Sequence, residues 1–209
     1  MKKYLFLSTL SLALCSLYSC GNDDDSVQIP TATDFMPLEI GTTWVYEIFF
    51  SNSGDQFIDT VTVVDTYADG DDIIYELSTT NIVTYPFIPN RMRLSDGELY
   101  WATESENWMF LTARVAVTGE EVDTREVNPG LGSVIYRYYP AVETINVPAG
   151  SFDCINMEGE VVAVDTTEPA HGLLIDNFFA RDVGLVSAKT YFWSNGTAVE
   201  LKLLDFQLP

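Results

Sequence analysis

The chain is poor in histidine: His171 is the only one among its 209 residues. A zinc site built on several histidines is therefore excluded. A Ser-His-Asp triad would have to use His171, but its neighbours Pro169, Ala170 and Gly172 are typical of a loop. The sequence also has no Gly-x-Ser-x-Gly elbow. We expect His171 to be a solvent-exposed loop residue without a catalytic role.

Basic residues are scarce as well, with 10 Lys and Arg against 31 Asp and Glu. Nucleic-acid binding is disfavoured because phosphates are neutralised by Lys and Arg. Docking on anionic lipid is disfavoured for the same reason. The acidity favours solubility and self-repulsion at a surface, and the alternative is attraction of divalent cations.

Three cysteines occur: Cys15, Cys20 and Cys154. Cys154 lies in an alternating stretch beside Phe152, which predicts a buried thiol that packs as a small hydrophobe. The alternative is a nucleophile with His171 as its base, which would need an electropositive, partly exposed setting. If Cys15 and Cys20 are not available as free thiols, Cys154 has no partner for an intramolecular disulfide.

Long apolar runs are absent, since the one near the start spans only residues 4–17 and follows Lys2 and Lys3. This is the layout of a secretory signal and is shorter than the roughly 20 residues of a transmembrane helix. The residues that follow the run, ending in Ser19-Cys20, resemble the bacterial lipobox. The resemblance implies cleavage before Cys20 and acyl chains on its sulfur and amine, which anchor a protein to a membrane.

The acidic run that follows, Asp23-Asp24-Asp25, resembles the surface-export tag of Bacteroidota lipoproteins. We therefore expect a signal peptide at residues 1–19, an acidic flexible tether at 20–34 and one globular domain at 35–209. Loss of the signal would leave eight basic and 31 acidic residues, a net charge of −23. The expected location is the outer membrane, facing the cell exterior.

The domain has the pattern of an all-β protein. Alternating runs rich in β-branched and aromatic residues are separated by turn residues, and no convincing helical period occurs. Ser95-Asp96-Gly97 and Asn195-Gly196 predict hairpin turns. Residues 118–130 are polar and predict a loop. Strands are expected at 42–50, 56–67, 72–85, 91–94, 98–101, 108–117, 131–139, 142–147, 151–164, 177–181, 185–194 and 197–208.

Ten to twelve strands with short connections predict a mostly antiparallel meander. Because long strands in a large sheet twist and curl, we expect a single curved sheet, an open barrel or half-barrel. The alternative is a two-sheet β-sandwich.

Three segments carry a family resemblance. Residues 37–46 (PLEIGTTWVY) resemble the P-L-x-x-G-x-x-W-x-Y opening of many Bacteroidota lipoproteins. Residues 147–154 (VPAGSFDC) are similar to a P-A-G-T-F-x-C motif, and residues 178–186 (FFARDVGLV) to Y-x-A-x-G-V-G-L-V. The resemblance implies a family of β-rich bacterial surface or periplasmic lipoproteins and brings no catalytic residues.

The motifs also have physical interpretations. Ser151, Phe178 and Asp182 stand where the motifs have Thr, Tyr and Gly. Gly184 is expected to mark a bulge or a close approach of two backbones. Trp44 and Tyr46 share one face of a strand because side chains two apart do so.

Residues 65–76 (DTYADGDDIIYE) partly match a calcium loop, with Asp at positions one and five, Gly at six and Glu at twelve. Tyr67 at position three is not a ligand, Asp72 replaces an apolar residue, and strands flank the segment. An acidic hairpin turn is favoured over a calcium site, and we expect no metal and no cofactor.

Two further site hypotheses remain open. Aromatic side chains could stack on a glycan, although Tyr100 and Trp101 should face opposite sides of a strand. Paired carboxylates could hydrolyse a glycosidic bond, but among 31 acids no pair has special weight. The aromatic candidates are Tyr100, Trp101, Trp108, Tyr136, Tyr138 and Tyr139, and the acidic ones are Glu104, Glu106, Glu120 and Glu121.

The sequence therefore predicts a lipoprotein held in the outer membrane by acyl chains on Cys20. Its expected role is non-enzymatic, either structural or in binding a glycan, an apolar ligand or a protein. The alternative is a carboxylate-dependent hydrolase, for example one directed at glycans.

Overall fold

The computed structural model describes residues 31–81, 84, 86–102, 108–110, 121–128 and 130–209. Twelve strands form one antiparallel sheet that is not closed into a barrel. The described residues contain no α-helix, only a short 3-10 turn at Ala32–Asp34. The strands are β1 (Thr43–Phe50), β2 (Gln56–Asp69), β3 (Asp72–Thr79), β4 (Arg91–Ser95), β5 (Glu98–Ala102), β6 (Trp108–Phe110), β7 (Glu121–Asn128), β8 (Gly132–Val147), β9 (Gly150–Ala163), β10 (Leu174–Ala180), β11 (Gly184–Tyr191) and β12 (Ala198–Gln207).

The strand order is β6-β5-β4-β3-β2-β1-β12-β11-β10-β9-β8-β7. All neighbours in this order are consecutive in the chain except β1 and β12, which pair at the centre of the sheet. The single curved meander is confirmed, and the two-sheet sandwich is wrong because all twelve strands belong to one hydrogen-bonded sheet.

Strand β1 shows why the centre is stable. Trp44, Tyr46 and Ile48 are fully buried, while the residues between them are only half-buried. The alternating sequence thus gives one inward face, as period-two patterning requires. The partner strand β12 presents Leu201 and Leu203, both fully buried, to the same core.

Both predicted hairpin turns are present. Asp96 and Gly97 have φ of 51° and 79° and join β4 to β5, as in a two-residue turn with positive φ at both positions. Asn195-Gly196 lies between β11 and β12, with Gly196 at φ 65°. This second loop is longer than predicted because the Phe192 carbonyl accepts a hydrogen bond from the Gly196 N–H (2.9 Å), which ends β11 at Tyr191.

The predicted loop at 118–130 is wrong over Glu121–Asn128, which is edge strand β7. Its charged residues hide the alternation, since an edge strand needs little apolar surface and often carries charge. The two strands expected at 131–139 and 142–147 are one strand, β8, whose register with β9 shifts between Tyr139 and Glu143. Strand β10 begins at Leu174, earlier than predicted, and β3 ends earlier, at Thr79.

The concave face of the sheet is filled by its own chain. The main apolar core combines inward side chains of the sheet with three segments packed across this face, one of which is the end of a strand hairpin. They are the residues before β1 (Ala32, Phe35, Met36, Leu38), the loop between β3 and β4 (Phe87, Ile88) and the β8–β9 hairpin end (Ile145, Val147, Ala149, Phe152). A second cluster contains Val134, Val161, Ala170 and Ile175.

Ala32 already packs in the folded core, with 3% of its surface exposed, although it lies within the predicted tether. The division into signal, tether and domain otherwise concerns residues before Thr31, outside the described ones, and stays a prediction. Within the part of the chain that the structure describes, no helix has the length and apolarity to cross a membrane.

Candidate functional site

A small cavity lies where the two ends of the sheet approach each other. Its volume is about 30 Å³, enough for one or two water molecules. Small-molecule sites usually have about 300–1,000 Å³. The cavity is lined by Pro86, Phe87, Trp101, Arg125, Tyr136, Met157, Asn177 and Phe179.

Arg125 connects the two ends of the sheet at this cavity. Its guanidinium carbon lies 4.2 Å from the centre of a Trp101 ring and 5.1 Å from that of Tyr136. Trp101 is on β5, near one end of the strand order, whereas Arg125 and Tyr136 are on β7 and β8 at the other end. Among the residues described, β6 and β7 at the two ends are not paired by backbone hydrogen bonds, so the Arg125–Trp101 contact bridges the gap between the ends.

The electrostatics show that this bridge is poorly solvated. Burial lowers the pKa of Arg125, an effect opposed by Tyr136 and Asp123. Burial likewise raises the pKa of Asp123, opposed by Arg125, whose Nη2 lies 3.9 Å from a carboxylate oxygen. The Tyr136 pKa is raised by burial too. Each charged form loses water here, so the attraction between these groups is screened less than at an open surface.

The aromatic residues are arranged differently from a glycan platform. The structure brings Trp101 and Tyr136 together, but the Arg125 guanidinium covers a face of each ring. Tyr100 faces the other side of β5, where its hydroxyl donates to Glu98 (2.7 Å) and Arg93 covers its ring. Tyr138 is buried. The Trp108 side chain lies outside the described residues.

A close pair of acids was missed by sequence reasoning. Burial and the neighbouring Asp176 raise the pKa of Glu158, while a Tyr139 hydrogen bond lowers it. The two acids lie on adjacent strands, and alternation puts them on the face opposite Met157 and Asn177, which line the cavity. Only knowledge of the β9–β10 register could have found this pair.

Of the four acids singled out in the sequence, the structure describes only Glu121. Glu121 is exposed on β7, while Glu104, Glu106 and Glu120 lie outside the described residues. Among the residues described, no group of three or more His, Cys, Asp and Glu side chains could hold a metal ion.

Cys154 is fully buried on β9, as predicted. Burial, together with Asp153 and Glu143, raises the pKa of its thiol to about 12. At neutral pH the group is therefore a thiol, whereas the nucleophile is the thiolate.

His171 lies in a loop, but the prediction of an exposed ring is wrong because it is half-buried. Its Nδ1 accepts a hydrogen bond from the backbone N–H of Ala163 (3.2 Å). The imidazole thus fastens its loop to the end of β9.

The calcium-like segment is a hairpin turn between β2 and β3, with Gly70 at φ 64°. The Glu76 carboxylate pairs with Arg91 (2.8 Å), and Asp72 pairs with Arg93 (3.2 Å). These two carboxylates are turned towards arginines on β4 rather than towards a shared cation.

The first and third motif segments meet in the core. Trp44 Nε1 donates to the Val183 carbonyl (2.6 Å), and the Tyr46 hydroxyl donates to that of Leu185 (3.0 Å). A Cβ on Gly184 would lie 2.9 Å from Trp44 Nε1, so glycine makes room here for a side chain rather than for the backbone that the sequence led us to expect. The physical role of these motif residues is to join β1 to the start of β11.

Comparison of the sequence with protein-family models finds no match, and comparison with curated proteins finds none either. Three solved structures share similarity over most of the chain. A Bacteroides fragilis protein described as exported, with a YmcC-like fold, is 14% identical, has a TM-score of 0.49 and matches over 83% of this chain and 99% of its own.

A Parabacteroides distasonis protein described as a lipoprotein is 16% identical, with a TM-score of 0.47 over 86% of this chain and 100% of its own. The hypothetical lipoprotein YmcC of Escherichia coli is 12% identical, with a TM-score of 0.37 over 81% and 85%. At such identities and scores, no activity, ligand or partner is transferred to this chain.

Proposed function

We propose that the protein is a cell-envelope lipoprotein, anchored by acyl chains on Cys20, with a non-enzymatic structural or interaction role. The non-enzymatic role is supported by the filled concave face of the sheet. Core side chains from three crossing segments occupy it, and the cavity beside Arg125 has about 30 Å³. In the part of the chain that the structure describes, this packing leaves little room to enclose a ligand and supports a role through the outer surface of the sheet.

The anchor is supported by the sequence. The segment ending at Cys20 has the basic start, short apolar run and small residue of a lipobox. Two or more acyl chains would give stable attachment, since each buried methylene contributes about 0.8 kcal/mol. The acidic run at residues 23–25 supports export to the outer face of the outer membrane.

A hydrolase is the second candidate, and the Glu158–Asp176 pair is what favours it. Two neighbouring acids with one raised pKa are a recurring feature of glycoside hydrolysis. Against this role, the pair lies on the sheet face opposite the cavity. A Glu158→Gln variant that abolished a measured glycosidase activity would favour the hydrolase.

The anchor is tested with Cys20→Ser and, as a matched control, Cys154→Ala, both expressed in a Gram-negative host fed a clickable palmitate. We expect wild type and Cys154→Ala to be labelled and to sediment with membranes, and Cys20→Ser to be neither. Labelling of Cys20→Ser would contradict the proposed anchor. Protease treatment of intact cells tests the outward orientation, and full protection would contradict it.

The closed interior is tested by thermal unfolding of the purified protein with a panel of oligosaccharides and fatty acids. We expect Tm to stay constant across the panel, because a ligand that binds only the folded state must raise it. A saturable increase in Tm with one member would identify a ligand class and contradict a purely structural role.

A further inference from the structure

The residues before β1 cross the concave face as a separate segment. Residues 31–38, here called the N-terminal plug, bury Ala32, Phe35, Met36 and Leu38, each 7% exposed or less. The 3-10 turn of the plug lies against β5. Its other contacts reach the turn between β10 and β11, so the plug spans the face between two distant parts of the sheet.

The contacts at the β10–β11 turn are specific. The Asp34 carbonyl accepts a hydrogen bond from the Asp182 N–H (2.7 Å), and Arg181 lies 6.0 Å over the Phe35 ring. Met36 Sδ packs where Gly184 and Trp44 meet, 3.4 Å from the position of a Gly184 Cβ. The plug therefore covers the junction of β1 and β11.

The plug is nevertheless weakly attached through its backbone. Among the residues described, one backbone hydrogen bond joins residues 31–38 to the rest of the molecule, that between Asp34 and Asp182. Its other hydrogen bonds are internal, such as those of Thr31 with Asp34 and Thr33. By contrast, β12 is hydrogen-bonded along both of its edges, to β1 and β11.

This difference sets how easily each segment can leave. Burial of four apolar side chains favours docking of the plug, but ordering its backbone and side chains opposes it. Leaving also breaks few hydrogen bonds, and water can replace them. Proteins open locally in cooperative units, and a segment held by one backbone hydrogen bond loses fewer bonds on opening than a strand paired along both edges.

We propose that the N-terminal plug is a detachable element that docks on and leaves the concave face of the folded sheet, thereby closing and opening the interior. Release uncovers the side of the core that contains Trp44 and Gly184. If Cys20 is acylated, as in the proposed function, Ala32 follows the anchor by only twelve residues, and tension on the tether acts directly on the plug.

The test compares two buried positions in the full chain. Met36→Cys places a thiol in the plug, and Val161→Cys places one in the second cluster, where the side chain is 3% exposed. Each is treated with maleimide under native conditions at increasing urea, and labelling is read at the substituted position by peptide mapping. The native cysteines and the state of Cys20 then do not affect the result.

We expect Met36→Cys to react at least about tenfold faster than Val161→Cys, with a much weaker dependence on urea, because local opening exposes little surface. Equal rates with the same steep urea dependence would overturn the proposal, since the plug would then leave only on global unfolding.

A second variant keeps the proposal testable if cysteine disturbs packing. Met36→Asp buries a charge that should expel the plug. We expect cooperative unfolding and the β-sheet circular dichroism to persist, and Nile red emission to increase and shift to the blue. Ser53→Asp, which adds the same charge to the exposed β1–β2 turn, should leave the emission unchanged. Loss of the folded sheet in Met36→Asp alone would show that residues 31–38 are an inseparable part of the core.

Discussion

Burial decides the chemistry of Cys154. Its side chain is fully enclosed on β9, and the acids Asp153 and Glu143 add to the effect of desolvation. Both influences oppose a negative charge on sulfur, so the pKa rises from an ordinary value near 9 to about 12. The same burial that makes the thiol a packing group makes the fold sensitive to alkali.

We predict that Cys154→Ala reduces alkaline destabilisation. The folded thiol has the higher pKa, so its contribution is intact below pH 9 and is lost as pH rises from about 9 towards 12, where the unfolded chain ionises first. Between about pH 8 and pH 10.5, the wild type should lose about 2 kcal/mol more unfolding free energy than the variant.

Urea unfolding at the two pH values measures this difference. Tyr46, whose pKa burial also raises, is present in both proteins and cancels in the comparison. An equal loss of stability in wild type and variant would assign the alkaline sensitivity to other groups.

Backbone conformation at single residues was only partly predictable. Gly97 and Gly196 were expected in turns and have positive φ. Asp182 also has positive φ, 59°, at the position where the family motif has glycine. Asp is one of the few residues that tolerate this region, so the substitution preserves the turn. The sequence showed Asp182 in place of the motif glycine, but the register of the turn was needed to show that this position has a positive φ.

At the scale of elements, a buried carboxylate fixes the long connection between β3 and β4. Asp59 on β2 is fully buried, and one of its oxygens accepts from Thr80 Oγ1 (2.8 Å) and the Asn81 N–H (2.7 Å). The other oxygen accepts from Thr84 Oγ1 (2.7 Å). The same connection places Phe87 and Ile88 in the core, so the carboxylate positions part of the filling of the concave face.

We predict that Asp59→Ala destabilises the protein by about 2–4 kcal/mol, because three donors lose an acceptor and at least one is left in a buried place. Asp55→Ala, at an exposed position before β2, is the control and should change stability by less than about 0.5 kcal/mol. Urea unfolding monitored by circular dichroism gives both values. A loss below that of the control would mean that water replaces the carboxylate.

Elements were predictable where one face is buried. In β1 the apolar residues alternate, so both its existence and its inward face followed from the sequence. Strand β7 was not predicted because charged residues occupy both of its faces: Glu121, Asp123, Arg125 and Glu126. Its Arg125 contact depends on the curvature of the whole sheet, which a local pattern does not contain.

At the scale of the molecule, the pairing of β1 with β12 makes the two chain halves one sheet and leaves β6 and β7 as its ends. The antiparallel meander was predictable from short turns, whereas the count of twelve strands agrees only because the missed β7 offsets the division of β8 into two. The strand order at the centre and the approach of the two ends were not predictable, since both depend on residues far apart in sequence. Curvature brings Trp101 and Arg125 together, with the Arg125 guanidinium 4.2 Å from a Trp101 ring centre.

We predict that Arg125 and Trp101 are energetically coupled across the gap between the sheet ends. A double-mutant cycle of Arg125→Met and Trp101→Leu should give a coupling free energy of about 0.5–2 kcal/mol, the range for a cation–π contact from exposed to desolvated sites. Methionine retains much of the stem of arginine, so the cycle isolates the guanidinium contact.

The matched control replaces Arg125 with Arg91, whose guanidinium pairs with Glu76 at a more exposed position on β4. Arg91→Met combined with Trp101→Leu should be additive within about 0.5 kcal/mol, because Arg91 lies on the face of β4 opposite the one that Met92 shares with Trp101. If Arg125→Met and Trp101→Leu were equally additive, the curvature of the sheet would be set by its core packing alone, and the two ends would contact each other without holding it.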